Sequence, residues 1–482
     1  MKTKPMAHQL QGCALLAGHP EYFALGAEQG TGKTWMLIAD AEYQFERGFI
    51  DAVLVIAPKG VHTNWVLREL PRHASAPINA TFWLSGASQK HMRPIQKQLT
   101  ATASGQLIVH AMNVDAVNTK GGFEHAKAFV TKFRTIIIVD ESQRIKNPSA
   151  LRTKRIIELG RLATSRRIAS GTMVSNSPLD LFSQFDFLKQ GLLGTTSYRA
   201  FVAEYAVLLP PGSPLVQDII RRTGARGTPQ VIARDRSGMP QFRNIEKLRA
   251  LMAPHMFRVT KEECLDLPEK IYQTVFFELE SEQRAAYDVV KKERHWERDD
   301  GELDAFSALT VINKLRQITS GFILVDGVPV ELRNAQPRIA ALKEVVEDSP
   351  GQIIIWASFR EELRIIEEEL RELGVVSYHG GTSAVYREHA VDAFQKGEAR
   401  IFLGNPAAAG TGLTLTAAET VIYYSSSFSL EERKQSEDRA HRIGTKHSVR
   451  YVDLVARDTI DERIALALQA KEELAASILN DI

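Results

Sequence analysis

Residues 136–150 read IIIVDESQRIKNPSA, four β-branched apolar residues followed at once by two carboxylates, Asp140 and Glu141. The four lack the apolar/polar alternation of a strand with one wet face, so they predict a central strand covered on both faces. The acids then fall at its carboxyl end, the edge of an open parallel α/β sheet where ligands bind. Taken alone, the pair is better read as the opening of a solvated loop. What surrounds it decides.

Short β-rich runs recur between helical patterns in two groups. The first holds residues 22–27, 53–57, 107–109, 136–139 and 167–170; the second holds 353–356, 375–378, 401–403, 421–424 and 449–455. Alternating strands and helices in two sets predict an α/β fold of two doubly wound parallel-sheet lobes in tandem. The lobes are expected over 1–190 and 336–482, with helical insertions and a linker over 191–335. Within that middle part, LLPPGSPLVQDIIRRTGARGTPQVIARDRSGMP is rich in Pro, Gly and Arg and reads as an exposed excursion. EELRIIEEELREL, residues 361–373, reads as a surface helix with Leu363, Ile366, Leu370 and Leu373 turned to the core.

The chain has 482 residues, 44% of them hydrophobic, which fits globular domains with cores of their own. Its 60 basic and 58 acidic side chains nearly cancel, so a polyanionic partner must be argued from local clusters. Cys13 and Cys264 offer neither a disulfide framework nor metal-ligand spacing. The opening MKTKPMAHQL lacks the apolar core of a signal peptide, and no apolar run approaches the roughly 20 residues of a membrane helix. A cytoplasmic setting without membrane attachment is expected.

GAEQGTGKT, residues 26–34, follows the first strand and precedes the helical run WMLIADAEYQF. Strand, Gly-rich turn, Lys-Thr and helix in that order mark a phosphate-binding loop, in which backbone N–H groups and the helix N-terminus meet the anion. Lys33 is expected to reach the β- and γ-phosphates of ATP, and the Thr34 hydroxyl to ligate Mg²⁺. The first position of the pattern is Ala27 rather than Gly. With this loop upstream, Asp140 becomes the candidate carboxylate for the metal and Glu141 the group that positions or deprotonates the attacking water.

In their order along the chain these segments resemble the Swi/Snf-type ATPases of helicase superfamily two. PMAHQLQGCALL resembles the family's N-terminal adenine-side motif, AEQGTGKT motif I, VLVIAPKGVHTNW motif Ia and IVDESQRIKN motif II. ASGTMVSNSPLDLFSQFDFL is similar to motif III, IIIWASFREELRIIEEEL to motif IV, AAAGTGLTLTAAETVIYY to motif V, and QSEDRAHRIGTKHSVRYVDLVARDTIDERI to motif VI and beyond. The resemblance implies RecA-like lobes. It implies nucleotide contacts at Gln9, Glu28, Gln29, Gly30, Thr31, Gly32, Lys33, Thr34 and Gly412, with Thr34 and Asp140 on the metal. It assigns Arg439 and Arg442 as arginine fingers, which stabilise the charge growing on the γ-phosphoryl oxygens.

Further implied are backbone contacts to nucleic acid from Lys59, Asn64, Arg144, Lys146, Arg360 and Thr411, because a motor indifferent to sequence grips phosphate and sugar. Arg221, Arg222, Arg226, Arg234 and Arg236 form a further basic cluster, and Arg152, Lys154, Arg155, Arg161, Arg166 and Arg167 another that fits a solvated helix face as well. Motif II ends in Ser142 and Gln143 where the family commonly has Ala-His, Thr414 stands for a common Asn, and Phe428 for a common Trp. Gln can both donate and accept hydrogen bonds at such a position.

The expected activity is an ATP-dependent, Mg²⁺-requiring double-stranded DNA translocase. It is read as a bare monomeric motor of a bacterial or bacteriophage-infected cell, with protein cargo on DNA as a further partner. An RNA-directed helicase and a nucleotide-gated nucleic-acid clamp with negligible turnover are the alternatives.

Overall fold

In the computed structural model Ile136 to Val139 lie inside the strand Thr135–Asp140, every residue of which is buried. Ile136 and Ile138 enter one core and Ile137 and Val139 another, so the run is covered on both faces as its composition requires. The structure describes all residues except 87–88, 101–104, 226, 237, 300–304, 326, 333–335, 408–412 and 480–482. The chain forms two units, Met1–Leu265 with Ala470–Ile482, and Asp266–Gln469.

The sheet of the first unit contains β1 (Tyr22–Ala27), β2 (Ala52–Ala57), β3 (Ile78–Phe82), β4 (Leu107–Asn113), β5 (Thr135–Asp140), β6 (Ser165–Ala169) and β7 (Met256–Val259). Their order is β3-β4-β2-β5-β6-β1-β7, and all pairings are parallel. Parallel strands bring every carboxyl end to one edge. Because β6 lies between β5 and β1, the segments that leave these three strands are neighbours there, although they start near residues 28, 141 and 170. The helices Ala7–Gly18 and Lys33–Glu46 cover one face, and Lys120–Lys132, Leu151–Leu162 and Leu181–Leu188 the other.

The second unit has β8 (Lys270–Phe277), an antiparallel hairpin of β9 (Phe322–Val325) and β10 (Val328–Glu331), then β11 (Gln352–Trp356), β12 (Val375–Tyr378), β13 (Ile401–Gly404), β14 (Ala418–Tyr423) and β15 (Val449–Ala456). The main sheet is again parallel, in the order β12-β13-β11-β14-β15-β8. Ile353 and Ile355 join one core, Ile354 and Trp356 the other. Leu363, Ile366 and Leu370 are buried under the helix Arg360–Glu369, and Leu373 packs beside them.

Both sheets extend beyond the expected lobes. β7 and β8, from the stretch read as lying between the lobes, are edge strands of the first and second sheets. Residues 470–479, the end of the helix Ile460–Leu479, put Ile478 and Leu479 into the first unit's core. The loop read as an excursion carries the helix Pro214–Thr223 and buries Val216. Among the described residues no helix is long and apolar enough to cross a membrane.

Arg167 leaves the basic cluster read from the sequence. It is fully buried on β6, its Nε donates to Asp40 Oδ2 at 2.9 Å, and its remaining nitrogens donate to the carbonyls of Arg166, Leu16 and Pro20. Gln44 Nε2 donates to the same carboxylate at 3.1 Å. Burial, and then the charge of Asp40, push the Cys13 thiol up to about 12, so it stays a neutral packing group. Asp40→Ala leaves a buried guanidinium without its anion. It is expected to lower the stability of the first unit by about 3–5 kcal/mol, read as an earlier first transition in urea unfolding of the full chain.

Candidate functional site

At the end of β1 the backbone turns twice through left-handed geometry, at Gly30 (φ 90°) and Gly32 (φ 88°), before the helix Lys33–Glu46 begins. A Cβ on Gly32 would also stand 2.1 Å from Gln9 Nε2. Ala27 is different: it ends β1 in extended backbone paired with Val259, where glycine's freedom is not needed. His8 Nε2 and Gln9 Nε2 donate to the Thr31 carbonyl at 2.7 and 3.2 Å, and the Thr31 hydroxyl donates to the Glu28 carbonyl at 2.8 Å. Glu28 in turn accepts the Lys261 amide at 2.7 Å, which anchors the loop beside β7. Lys33 is buried at the helix start, whose first-turn amides have no intrahelical acceptor.

β5 delivers Asp140 and Glu141 to the same edge. Asp140 is buried; its Oδ2 accepts the indole N–H of Trp65 at 2.9 Å and its Oδ1 the Glu141 amide at 3.0 Å. Glu141 has φ 55° and ψ 57°, left-handed geometry that costs a side chain of this kind about 1–3 kcal/mol and collects at functional sites. The turn aims the next carboxylate away from the strand's own alternation.

A hydrogen-bonded chain then leads from Glu141 to the end of β6. Gln143 Nε2 donates to Glu141 Oε2 at 2.8 Å, the Ser170 hydroxyl donates to Gln143 Oε1 at 2.6 Å, and the Thr172 amide donates to Ser170 Oγ at 2.9 Å. Gln143 thus uses both ends of its amide, one for each segment. Gly171 is pressed against the phosphate loop, since a Cβ there would lie 2.9 Å from the Gln29 nitrogen. Ser142 turns to the opposite side: its hydroxyl donates to Gln184 Oε1 at 2.7 Å, and Gln184 Nε2 donates to the Met173 and Asp180 carbonyls.

The charge balance fits a divalent cation. Burial, and then the neighbouring Glu141 carboxylate, push Asp140 up to about 6, against the opposing pull of the Trp65 N–H, the Lys33 charge and the Glu141 amide. A cation at this edge would remove that cost. Mg²⁺ takes one or two protein oxygens and completes its shell with water and phosphate. Asp140 and Thr34 are the residues that would hold it.

In the second unit, the helix Leu430–Ala440 carries Arg433, Glu437 and Arg439. Arg433 lies 3.6 Å over the Tyr423 ring and donates to Glu437 at 2.7 Å and to both oxygens of Asp453. Glu437 also accepts from Lys270 Nζ at 3.0 Å and the Tyr272 hydroxyl at 2.9 Å, which ties β8 to the helix. Burial pushes Glu437 up, but Lys270, Arg433 and Lys434 outweigh it and hold the carboxyl at about 2. Arg439 is buried and reaches the Leu413 carbonyl at 3.5 Å. Half-buried Arg442 donates to the same carbonyl at 3.2 Å and to Thr414 Oγ1 at 3.1 Å, so the residue that departs from the common Asn is one of its acceptors.

The SNF2-related domain matches residues 9–321, and the helicase conserved C-terminal domain matches residues 337–444. The chain belongs to the SNF2-related family. It is 28% identical over 478 residues to the putative ATP-dependent helicase/translocase YwqA of Bacillus subtilis (strain 168), covering 94% of this chain and 46% of that protein. It is 24% identical over 479 residues to the chromodomain-helicase-DNA-binding protein 1-like of Mus musculus, covering 94% and 47%. Among solved structures, the Sulfolobus solfataricus SWI2/SNF2 ATPase core in complex with dsDNA matches with a TM-score of 0.42 at 23% identity, over 99% of this chain and 93% of that one. The chain spans less than half the length of these two curated relatives.

Of the SNF2-type residues expected from the sequence, Lys33, Asp140 and Glu141 come together with the phosphate loop at one sheet edge. Gln9 is occupied in bracing that loop. Thr411 and Gly412 lie outside the described residues. Lys59, Arg144 and Arg360 are exposed, whereas Asn64 donates to Glu69 at 3.2 Å and Lys146 to Ser175 Oγ at 2.5 Å. In the loop cluster Arg222 pairs with Asp218 and Arg234 with the Gly238 carbonyl, and Arg226 lies outside the described residues. Trp65, Ser170 and Gln184 were not singled out by sequence, because an indole, a hydroxyl and an amide in apolar surroundings carry no motif of their own.

Glu437 gives the second unit a pH dependence. Its carboxyl is held at about 2 against 4.5 in an ordinary setting. Its stabilisation, roughly 3 kcal/mol by linkage, is therefore present above pH 4.5 and lost as pH falls towards 2. Glu437→Gln is expected to lower the melting temperature at pH 7 and to flatten its fall on the acid side, as followed by circular dichroism.

Proposed function

We propose that this chain is a Mg²⁺-dependent ATP hydrolase that couples turnover to movement along double-stranded DNA, a translocase of the Swi/Snf type. The observation that carries this reading is the Glu141 corner: a carboxylate on left-handed backbone, held by Gln143 next to Asp140 on the strand edge that also carries the phosphate loop. The relatives' names, which contain ATP dependence, helicase and DNA binding, support the same reading.

In this proposal the loop amides and Lys33 hold the triphosphate, and Glu141 orients the attacking water and takes its proton. Bound Mg²⁺ would neutralise charge on the β- and γ-phosphate oxygens, with Asp140 and Thr34 as its protein ligands. Arg439 and Arg442 are proposed, from their motif, to stabilise the γ-phosphoryl charge. Lys59, Asn64, Arg144, Lys146, Arg360 and Thr411 are the proposed backbone contacts on DNA, where a phosphate oxygen would compete for the groups that Asn64 and Lys146 now share with Glu69 and Ser175. A monomeric motor acting on protein–DNA complexes completes the reading.

Glu141→Gln is expected to lower duplex-stimulated turnover by about 10²–10⁴-fold while ATP and duplex affinities stay within a few-fold. Steady-state hydrolysis with duplex DNA, single-stranded DNA and RNA, followed by triplex displacement, checks this. A larger stimulation by RNA would favour an RNA-directed helicase, and a wild-type rate near background in every case would leave a nucleotide-gated clamp.

A further inference from the structure

Trp65 is 2% exposed, so its indole N–H needs a partner inside the protein. It finds that partner 75 residues away, at Asp140 Oδ2, 2.9 Å distant. Since Oδ1 accepts the Glu141 amide, both oxygens of the carboxylate are directed, one by its own strand end and one by the segment after β2. Removing the indole would leave one oxygen of a buried acid without a donor.

The backbone that holds Trp65 is itself constrained. It leaves β2 through Pro58 and the left-handed Gly60 (φ 88°), and the amides of Val61 and His62 return to the Pro58 carbonyl. His62 Nε2 bonds the Trp83 carbonyl at 3.1 Å, and Asn64 Nδ2 reaches across to Glu69. Trp65 then opens a π-helical turn, Trp65–Glu69, a widened geometry found often at functional sites. Lys59 stands exposed at one end of this arc and the donor to Asp140 at the other, only six positions along the chain.

We propose that Trp65 is a positioning residue: its indole N–H fixes the Asp140 carboxylate for Mg²⁺. This rests on the ATPase reading above. The donor acts through orientation, as the outer partners of a metal ligand do, and loss of such a partner costs about 10–100-fold in metal-dependent binding.

The test compares Trp65→Phe, which removes the N–H, with Trp65→His, which also shrinks the side chain but keeps a ring N–H. ATP affinity of the full chain is measured by titration calorimetry with Mg²⁺ and, separately, with EDTA. Trp65→Phe is expected to lose about 10–100-fold of the Mg²⁺-dependent tightening with its EDTA affinity unchanged, and Trp65→His to regain most of the loss. A Mg²⁺-dependent gain in Trp65→Phe equal to the wild type's, or equal losses in the two variants, would overturn the proposal. A wild-type chain whose ATP affinity ignores Mg²⁺ would overturn the ATPase reading and this proposal with it. Indole-¹⁵N-labelled wild type needs no variant: of the signals from its five tryptophans, at least one must shift when Mg²⁺ is added to the ATP-bound chain, and none shifting would also overturn it.

Discussion

The proposed nucleotide site depends on one crowded corner, where a fully covered strand ends in two adjacent carboxylates. Burial and the Glu141 charge disfavour the ionised form of Asp140, while Trp65, Lys33 and the Glu141 amide favour it. The backbone turns left-handed at Glu141, itself at a conformational cost. In the proposed ATPase a bound cation would offset the burial and repulsion. A site with an electrostatic deficit built into its resting state has a larger gain on binding Mg²⁺ than a relaxed one, because the same charge that was costly becomes a ligand.

Sheet order turns this local conflict into a longer connection. β6 lies between β5 and β1, so the segment after it must touch both the acid corner and the phosphate loop. It does so with small groups: Gly171 against Gln29, and Ser170 between Gln143 and the Thr172 amide. Gln143 fits this bridge because a neutral amide can donate to Glu141 and accept from Ser170 at once, without bringing another titrating group beside the carboxylates. The substitution for the family's common His therefore keeps a link between the segments.

Much of this was legible in the sequence, for physical reasons particular to each element. IIIV had no polar position, so burial on both faces was the only strand consistent with it, and the phosphate loop announced itself through glycines that the backbone needs at Gly30 and Gly32. β7 and β8 were not legible: MFRV is four residues long, and KIYQTVFF lies mostly exposed at a sheet edge, so neither shows the apolar run of a central strand. Arg167 looked like surface charge beside Arg166, and only the approach of Asp40 from 127 residues away makes it a core residue. Trp65 was hidden for the same reason, since its role comes from a partner on another strand.

The central claim is that Gln143 carries the connection between Glu141, the proposed water-orienting carboxylate, and the segment after β6. The most direct measurement is the ATPase rate of Gln143→Ala with and without duplex DNA, beside its ATP affinity. The account predicts unchanged ATP affinity with the duplex stimulation lost. Full stimulation in Gln143→Ala would contradict it and reduce Gln143 to a spacer.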